Sequence, residues 1–122
     1  MGMEIATGLS QEIARYIDLS AAEAKLTAAN MANIDTPGYH TVGLDFDAEM
    51  RKAVGEGDLE QDAQAAAVQE VDGLIARPDG NNVSMDREGL NLAAAQLKYK
   101  TGVALLRQEY QRVLDAIHAD SK

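Results

Sequence analysis

The sequence lacks several residue types on which common protein functions depend. Among its 122 residues there is no cysteine and no tryptophan, and there are only two histidines, two prolines and one phenylalanine. Without cysteine the chain has no disulfide bond, thiolate metal site or thiol nucleophile. His40 and His118 lie far apart in the sequence, so they form no obvious ligand set for zinc or iron. No apolar run approaches the ~20 residues of a membrane-spanning helix.

Large apolar side chains are also scarce. The 46% hydrophobic content includes 21 alanines, whereas Leu, Ile, Val and Phe together supply only 26 residues. This share is close to the level of about 20% below which highly charged chains tend to be disordered. We therefore expect a helical protein of one domain, residues 1–122, that completes its core against neighbouring chains.

Basic residues are outnumbered. The chain has 11 Lys and Arg against 20 Asp and Glu, a formal net charge of −9. This excess excludes the basic surface that nucleic acids and anionic lipids require. Ten of the acidic residues fall within residues 45–79. We interpret this acidic middle as a solvated, partly mobile segment, with a dedicated basic partner as the alternative.

Apolar periodicity predicts a long helix near the N-terminus. Apolar residues recur at intervals of three or four positions, and we expect them to pack against another helix. They include Leu9, Ile13, Tyr16, Leu19 and Leu26. Pro37 cannot continue a helix, and Pro37-Gly38 suits the centre of a type II turn, so we predict a helix over about 8–33. The N-terminal residues contain charges and no apolar stretch, so no cleaved secretory signal is expected.

A second long helix is predicted over about 84–119. Its residues step alternately by four and three, the a/d pattern of a coiled coil, and we call them the predicted seam. The seam consists of Leu92, Gln96, Tyr99, Val103, Leu106, Tyr110, Val113 and Ile117. Ser84 suits the helix N-cap, and Gly89 and Gly102 suggest places of close helix approach.

The predicted fold class is therefore mainly α. The two long helices pair as an antiparallel, coiled-coil-like hairpin, and residues 34–83 form an irregular middle with at most short β structure. Within it we predict a short extended segment at 42–46, one or two helical turns at 47–54 and a short strand at 74–76.

No catalytic arrangement is visible, so we predict that the chain is not an enzyme and binds no cofactor or metal. The serines have no histidine in a recognisable relation, and no glycine-rich phosphate loop follows a strand. A cell-wall enzyme would need a pair of acids in a cleft and aromatic residues to line a sugar groove. The chain is poor in aromatics, and nothing in the sequence indicates such a pair.

Two blocks carry a resemblance. The N-terminal block resembles the signature of flagellar rod and hook axial proteins through Asn30, Ala32, Asn33, Thr36, Pro37, Gly38 and Tyr39. The C-terminal block is similar to that of the proximal rod family FlgB through Asp79, Gly80, Asn81, Val83, Asp86, Glu88 and Tyr99. The resemblance covers both ends of the chain, and the middle, about 47–77, shows no matching motif.

This resemblance implies a structural subunit of the proximal rod of the bacterial flagellar basal body, located in the periplasm and needed for motility. It implies export through the flagellar type III apparatus without a cleaved signal. The implied partners are other copies of the chain, FlgC-like rod proteins, the adaptor FliE and the MS ring. Two alternatives stay open: another rod protein of the same family, FlgC-like, and a soluble acidic helical adaptor or chaperone.

Overall fold

A computed structural model describes residues 8–55 and 66–120 of the chain. The elements follow in the order α1 (Gly8–Ala32), β1 (Val42–Gly43), α2 (Phe46–Gly55), β2 (Gln69–Glu70) and α3 (Met85–Asp120). Helix α1 has 25 residues and α3 has 36. Both predicted long helices are confirmed, each to within one residue at either end. None of the helices within the described residues is long and apolar enough to cross a membrane.

Helices α1 and α3 pack side by side in opposite directions. Asn30, near the end of α1, contacts Glu88 near the start of α3. Further along the pair Glu23 bonds to Lys98, and Gly102 approaches Ile17. Residue numbers thus rise along one helix as they fall along the other. The predicted fold class, mainly α with an antiparallel helix hairpin, is confirmed.

The buried line of α3 repeats every seven residues and includes two small residues. It consists of Glu88, Ala95, Gly102 and Glu109. A Cβ atom on Gly102 would lie 2.6 Å from Ile17 Cγ1, so the missing side chain lets the two helices approach closely. No such contact exists at Gly89, where an added Cβ would meet nothing within 4 Å. The expected close approach is therefore confirmed at Gly102 and wrong at Gly89.

The predicted seam lies beside this buried line. Gln96 and Val103 each follow a buried residue by one position, which turns them about 100° further round the helix. Leu92, Val103, Leu106 and Val113 are half-buried, whereas Gln96, Tyr99, Tyr110 and Ile117 are exposed. The physical reason is that Ala95 and Gly102 allow a closer helix approach than bulky side chains would. The large side chains of the seam are therefore displaced to the side of the hairpin.

On α1, the predicted apolar residues lie at three depths. Ile13 and Leu19 are buried, Tyr16 and Leu26 are half-buried, and Leu9 is exposed. Tyr16 contacts α2 as well as α3. Its ring packs edge to face against the ring of Phe46 in α2, with the ring centroids 5.2 Å apart.

Helix α2 covers one side of the hairpin. Arg15 of α1 pairs with the buried Glu49 of α2 at 3.5 Å. The ammonium of Lys98 on α3 lies 4.0 Å from the centroid of the Phe46 ring, a cation–π contact. The predicted helical turns at 47–54 are thus confirmed as α2.

The middle segment also contains a two-stranded antiparallel pairing. Val42 lies opposite Glu70, and Gly43 lies opposite Gln69. The extended segment predicted at 42–46 is confirmed only at Val42–Gly43, which form β1, because α2 already begins at Phe46. The strand predicted at 74–76 is wrong. The chain bends away from β1 at Gly73, which has a φ of +83°, so Ile75 is 91% exposed. Residues 56–65 of the predicted acidic middle lie outside the described residues.

Candidate functional site

The two motif blocks meet at one end of the helix hairpin. Ten of the predicted motif residues lie together there, and we call this cluster the polar junction. It consists of Asn30, Asn33, Thr36, Gly38, Tyr39, Asp79, Gly80, Asn81, Val83 and Glu88. The junction joins the end of α1 and the loop after it to the loop before α3.

Asn30 is the centre of the junction and is 1% exposed. Its Nδ2 donates to the Val42 carbonyl at 2.8 Å and to Glu88 Oε1 at 2.7 Å. Its Oδ1 accepts hydrogen bonds from the Tyr39 hydroxyl at 2.9 Å and from the Val42 amide at 3.1 Å. These four bonds use both donors of the amide group and both lone pairs of its oxygen. Asn30 therefore joins α1 to β1, to the loop that contains Tyr39 and to α3.

Glu88 places a buried carboxylate at the start of α3. Its other oxygen, Oε2, pairs with Arg87 Nη1. The predicted N-cap is confirmed, because Ser84 Oγ accepts from the Arg87 amide at 3.3 Å. A buried carboxylate costs free energy unless it is paired, and a helix N-terminus favours negative charge. Asn30, Arg87 and the helix end together compensate the burial of Glu88.

The pKa of Tyr39 is raised by burial and by the nearby Glu88 carboxylate. Burial raises the pKa of the Tyr39 hydroxyl above its ordinary value, and the negative charge of Glu88 raises this pKa further. Both effects disfavour a phenolate. The hydroxyl therefore stays protonated and donates to Asn30 Oδ1.

Asn81, from the other block, holds the loop that follows α1. Its Nδ2 donates to the carbonyls of Asn33 and Thr36, each at 2.8 Å, and its Oδ1 accepts from the Val83 amide at 2.8 Å. Both carbonyls lie after Ala32, the last residue of α1, and they also accept the backbone amides of Thr36 and Tyr39 respectively. The fully buried Asn81 thus fixes this loop from 48 and 45 residues away in the sequence.

Two tight turns pack against each other beside Asn81. Gly38 has a φ of +75°, and the Tyr39 amide donates to the Thr36 carbonyl at 3.2 Å, as expected for the predicted Pro-Gly turn. Gly80 has a φ of +86°, and a Cβ atom there would lie 3.3 Å from Gly38 Cα. The Gly38 amide donates to the Asp79 carbonyl at 2.9 Å. Both glycines are needed for backbone geometry and close contact.

Several participants were missed by the sequence-based prediction of site residues, among them Val42 and Arg87 through the bonds to Asn30 and Glu88 given above. The Thr41 amide donates to Asn82 Oδ1 at 2.7 Å, and Arg77 Nη1 donates to the Val83 carbonyl at 2.8 Å. Asn82 lies inside the C-terminal block, so its position in the sequence could have identified it as a site residue. Nothing in the sequence distinguishes Arg77 or Thr41 from ordinary loop residues.

The remaining motif residues lie elsewhere. Ala32 and Pro37 are exposed at the end of α1 and in the turn, and Asp86 is exposed in the first turn of α3. Tyr99 lies more than ten residues along α3 from Glu88, outside the junction, and is 46% exposed. These four residues make none of the junction's hydrogen bonds described above.

The chemistry of the junction is that of a structural link. Its buried amides and its carboxylate are engaged with backbone groups or with one another, as the bonds above show. Within residues 8–55 and 66–120, no group of three or more acidic or histidine side chains is arranged to hold a metal ion. The geometry thus explains why two blocks so far apart in the sequence carry asparagine and glycine at these positions.

Comparison with known proteins identifies relatives of this chain. No protein-family model matches the chain. The flagellar basal body rod protein FlgB of Salmonella typhimurium is 33% identical, and the match covers 83% of this chain and 86% of that protein. FlgB of Yersinia ruckeri is 29% identical, covering 83% of this chain and 87% of that protein. FlgB of Cereibacter sphaeroides is 31% identical over 105 residues, covering 78% and 82%.

Proposed function

Since the chain belongs to the FlgB family of flagellar basal body rod proteins, we propose that it is a structural subunit of the proximal rod. In this role it assembles helically with other copies and with neighbouring rod proteins into the drive shaft, and it is required for motility. The observation that carries the proposal is the similarity to FlgB of Salmonella typhimurium, 33% identity over 83% of the chain. It favours this role over a FlgC-like rod protein and over a soluble adaptor.

The helix hairpin supports an assembly role. Tyr99 and Tyr110 of the predicted seam are 46% and 45% exposed, although an apolar stripe is normally covered in a finished assembly. Half of the seam is thus available for contact with another subunit. We include in the proposal that the predicted assembly residues of both helices act there, that the chain has no enzymatic activity, and that FlgC-like proteins, FliE and the MS ring are its neighbours.

Location and export complete the proposal. The rod lies in the periplasm, and the chain reaches it through the flagellar type III export apparatus with its N-terminus uncleaved. Mass spectrometry of the chain in isolated basal bodies tests this part. An intact N-terminal segment supports it, and a trimmed N-terminus contradicts the uncleaved export.

An in-frame deletion in the source bacterium tests the central claim. We expect loss of swimming, with basal bodies that keep their rings but lack the rod and hook by electron microscopy. The wild-type chain should restore both. Normal flagella in the deletion strain would contradict the proposed function.

A complementation series then tests the seam. Tyr110→Asp introduces a charge at an exposed seam position, and we expect it to fail to restore swimming. Gln108→Asp adds the same charge at an exposed position of α3 on the other side of the buried Glu109 and should restore swimming. Circular dichroism of both purified variants confirms that each keeps its helices. A rod built by the Tyr110→Asp chain would contradict the assembly role of the seam.

A further inference from the structure

One side of the helix hairpin carries a groove that α2 and the strands do not line. The groove has a volume of about 250 Å³, and α1 and α3 alone supply its walls. We call it the hairpin groove; it is lined by Ser20, Ala21, Ala24, Ala95, Gln96, Tyr99 and Lys100. Beyond it the predicted seam continues along the same side of α3 with Val103, Leu106 and Tyr110. This side is therefore an apolar face with large, half-covered side chains.

A separate apolar surface lies on another side of the same helix. Leu90 and Leu97 are 74% and 67% exposed, the largest exposures among the large apolar residues of α3. They are seven residues apart, so they lie two turns apart on one side of the helix, and we call them the leucine ridge. Leu97 is turned by about 200° from the buried Ala95 and points away from α1. The ridge and the groove are thus different surfaces of one molecule.

Charge favours a second copy of this chain as the occupant of the groove. The chain carries 20 acidic residues, yet residues 89–106 of α3 contain none. The only charges in that stretch are Lys98, which bonds to Glu23 at 3.0 Å, and Lys100 at the groove edge. Two chains of net charge −9 repel one another, but no residue that lines the groove carries a carboxylate, and neither do Leu90 and Leu97, so these surfaces can meet.

We propose that the leucine ridge of one copy packs into the hairpin groove of the next copy. The proposal rests on the proposed function and specifies which surfaces meet in the assembly. Because the ridge and the groove differ, each contact leaves one free ridge and one free groove. Such a heterologous contact adds further copies in an open helical series when its rotation does not close a ring, whereas a groove-to-groove contact closes at a dimer.

Cysteine cross-linking tests this contact, because the natural chain has no cysteine. Ala93 lies three residues after Leu90 and four before Leu97, so Ala93→Cys marks the ridge and keeps both leucines. Ala24→Cys marks the groove, and Lys25→Cys, exposed at the next position of α1, is the matched control. The full-length variants are mixed in pairs at high concentration, one carrying a mass tag, and are oxidised. A disulfide requires Cα atoms within about 7 Å.

We expect the Ala93→Cys and Ala24→Cys chains to form a mixed disulfide severalfold more abundant than that of Ala93→Cys with Lys25→Cys. Leu97→Asp added to the Ala93→Cys chain should remove this excess. Circular dichroism confirms that each variant keeps its helices. The proposal is overturned if disulfides between two Ala24→Cys chains dominate, since these report a face-to-face dimer. It is also overturned if no pair exceeds the control.

The cross-linking result and the deletion result are read separately. A missing cross-link in a chain whose deletion abolishes the rod overturns the ridge-to-groove contact and leaves the proposed function in place. Normal flagella in the deletion strain overturn the proposed function, whatever the purified chains do.

Discussion

Replacing Asn30 by alanine is the sharpest test of the polar junction. The substitution removes four hydrogen bonds at once, because the amide group of Asn30 bonds to Tyr39, to Glu88 and to both backbone groups of Val42. Alanine is a good helix former, so α1 itself is not weakened. The loss therefore falls on the contacts between α1, β1 and α3.

The magnitude follows from the groups left behind. A buried donor or acceptor that loses its partner costs about 1–3 kcal/mol. Glu88 retains Arg87, and the half-buried Tyr39 hydroxyl regains water, so the Val42 groups and the first carboxylate oxygen account for most of the cost. We expect the free energy of unfolding to fall by about 4 kcal/mol, a large share of the 5–15 kcal/mol typical of a domain.

Equilibrium unfolding in urea, followed by the helical circular dichroism signal, measures this loss. Asn91→Ala is the matched control, because Asn91 is an exposed helical asparagine of α3. Helix propensity should change its stability by no more than about 0.7 kcal/mol. If Asn30→Ala lies within about 1 kcal/mol of Asn91→Ala, the junction does not hold the fold together and the reasoning is refuted.

Three further predictions concern other parts of the hairpin and the junction. Gly89→Ala should raise the free energy of unfolding by up to about 1 kcal/mol, whereas Gly102→Ala should lower it by about 1–3 kcal/mol through its clash with Ile17. Urea midpoints measure both, and equal signs would contradict the assigned helix contact. Asn81→Asp keeps the oxygen that accepts from the Val83 amide but loses the donors to Asn33 and Thr36, so we expect a loss of about 2 kcal/mol in the same assay, and an unchanged midpoint would contradict this role of Asn81. The pKa of Tyr39 is raised in the folded chain, so its contribution to stability is present below the ordinary tyrosine pKa of about 10 and is lost as the pH rises through the folded value. Unfolding free energies measured from pH 8 to 12 should therefore fall less steeply for Tyr39→Phe, and identical slopes would contradict this assignment.

Local signals were sufficient for the long helices and their ends. Apolar residues at intervals of three and four predicted α1, Pro37 marked the end of α1, and Ser84 marked the start of α3. These signals are local because helix hydrogen bonds and caps join residues a few positions apart. The strand at 74–76 was predicted wrongly, because strand pairing depends on a distant partner. The segment that pairs with β1 is β2, in which Glu70 lies opposite Val42 although the two residues are far apart in the sequence.

The face of α3 that α1 covers could not be chosen from the sequence. Two rows of residues run along α3, a stripe of large residues and a seven-residue repeat that contains Ala95 and Gly102. The a/d pattern predicts that the large residues face α1. In the fold Ala95 and Gly102 face α1 instead, because Gly102 has no side chain and leaves room for Ile17, so the helix axes lie closer together. The large residues are consequently left at the side, where they are available to a neighbouring chain.

The sequence by itself determined two long helices, their boundaries and the two blocks that resemble the rod family, since each of these depends on residues near one another in the chain. Only the tertiary structure decided that the blocks form one junction. Asn30 and Glu88 are 58 residues apart in the sequence, and their side chains lie 2.7 Å apart in the fold. A buried amide finds its partners through the packing of whole helices, and local spacing carries no information about that packing.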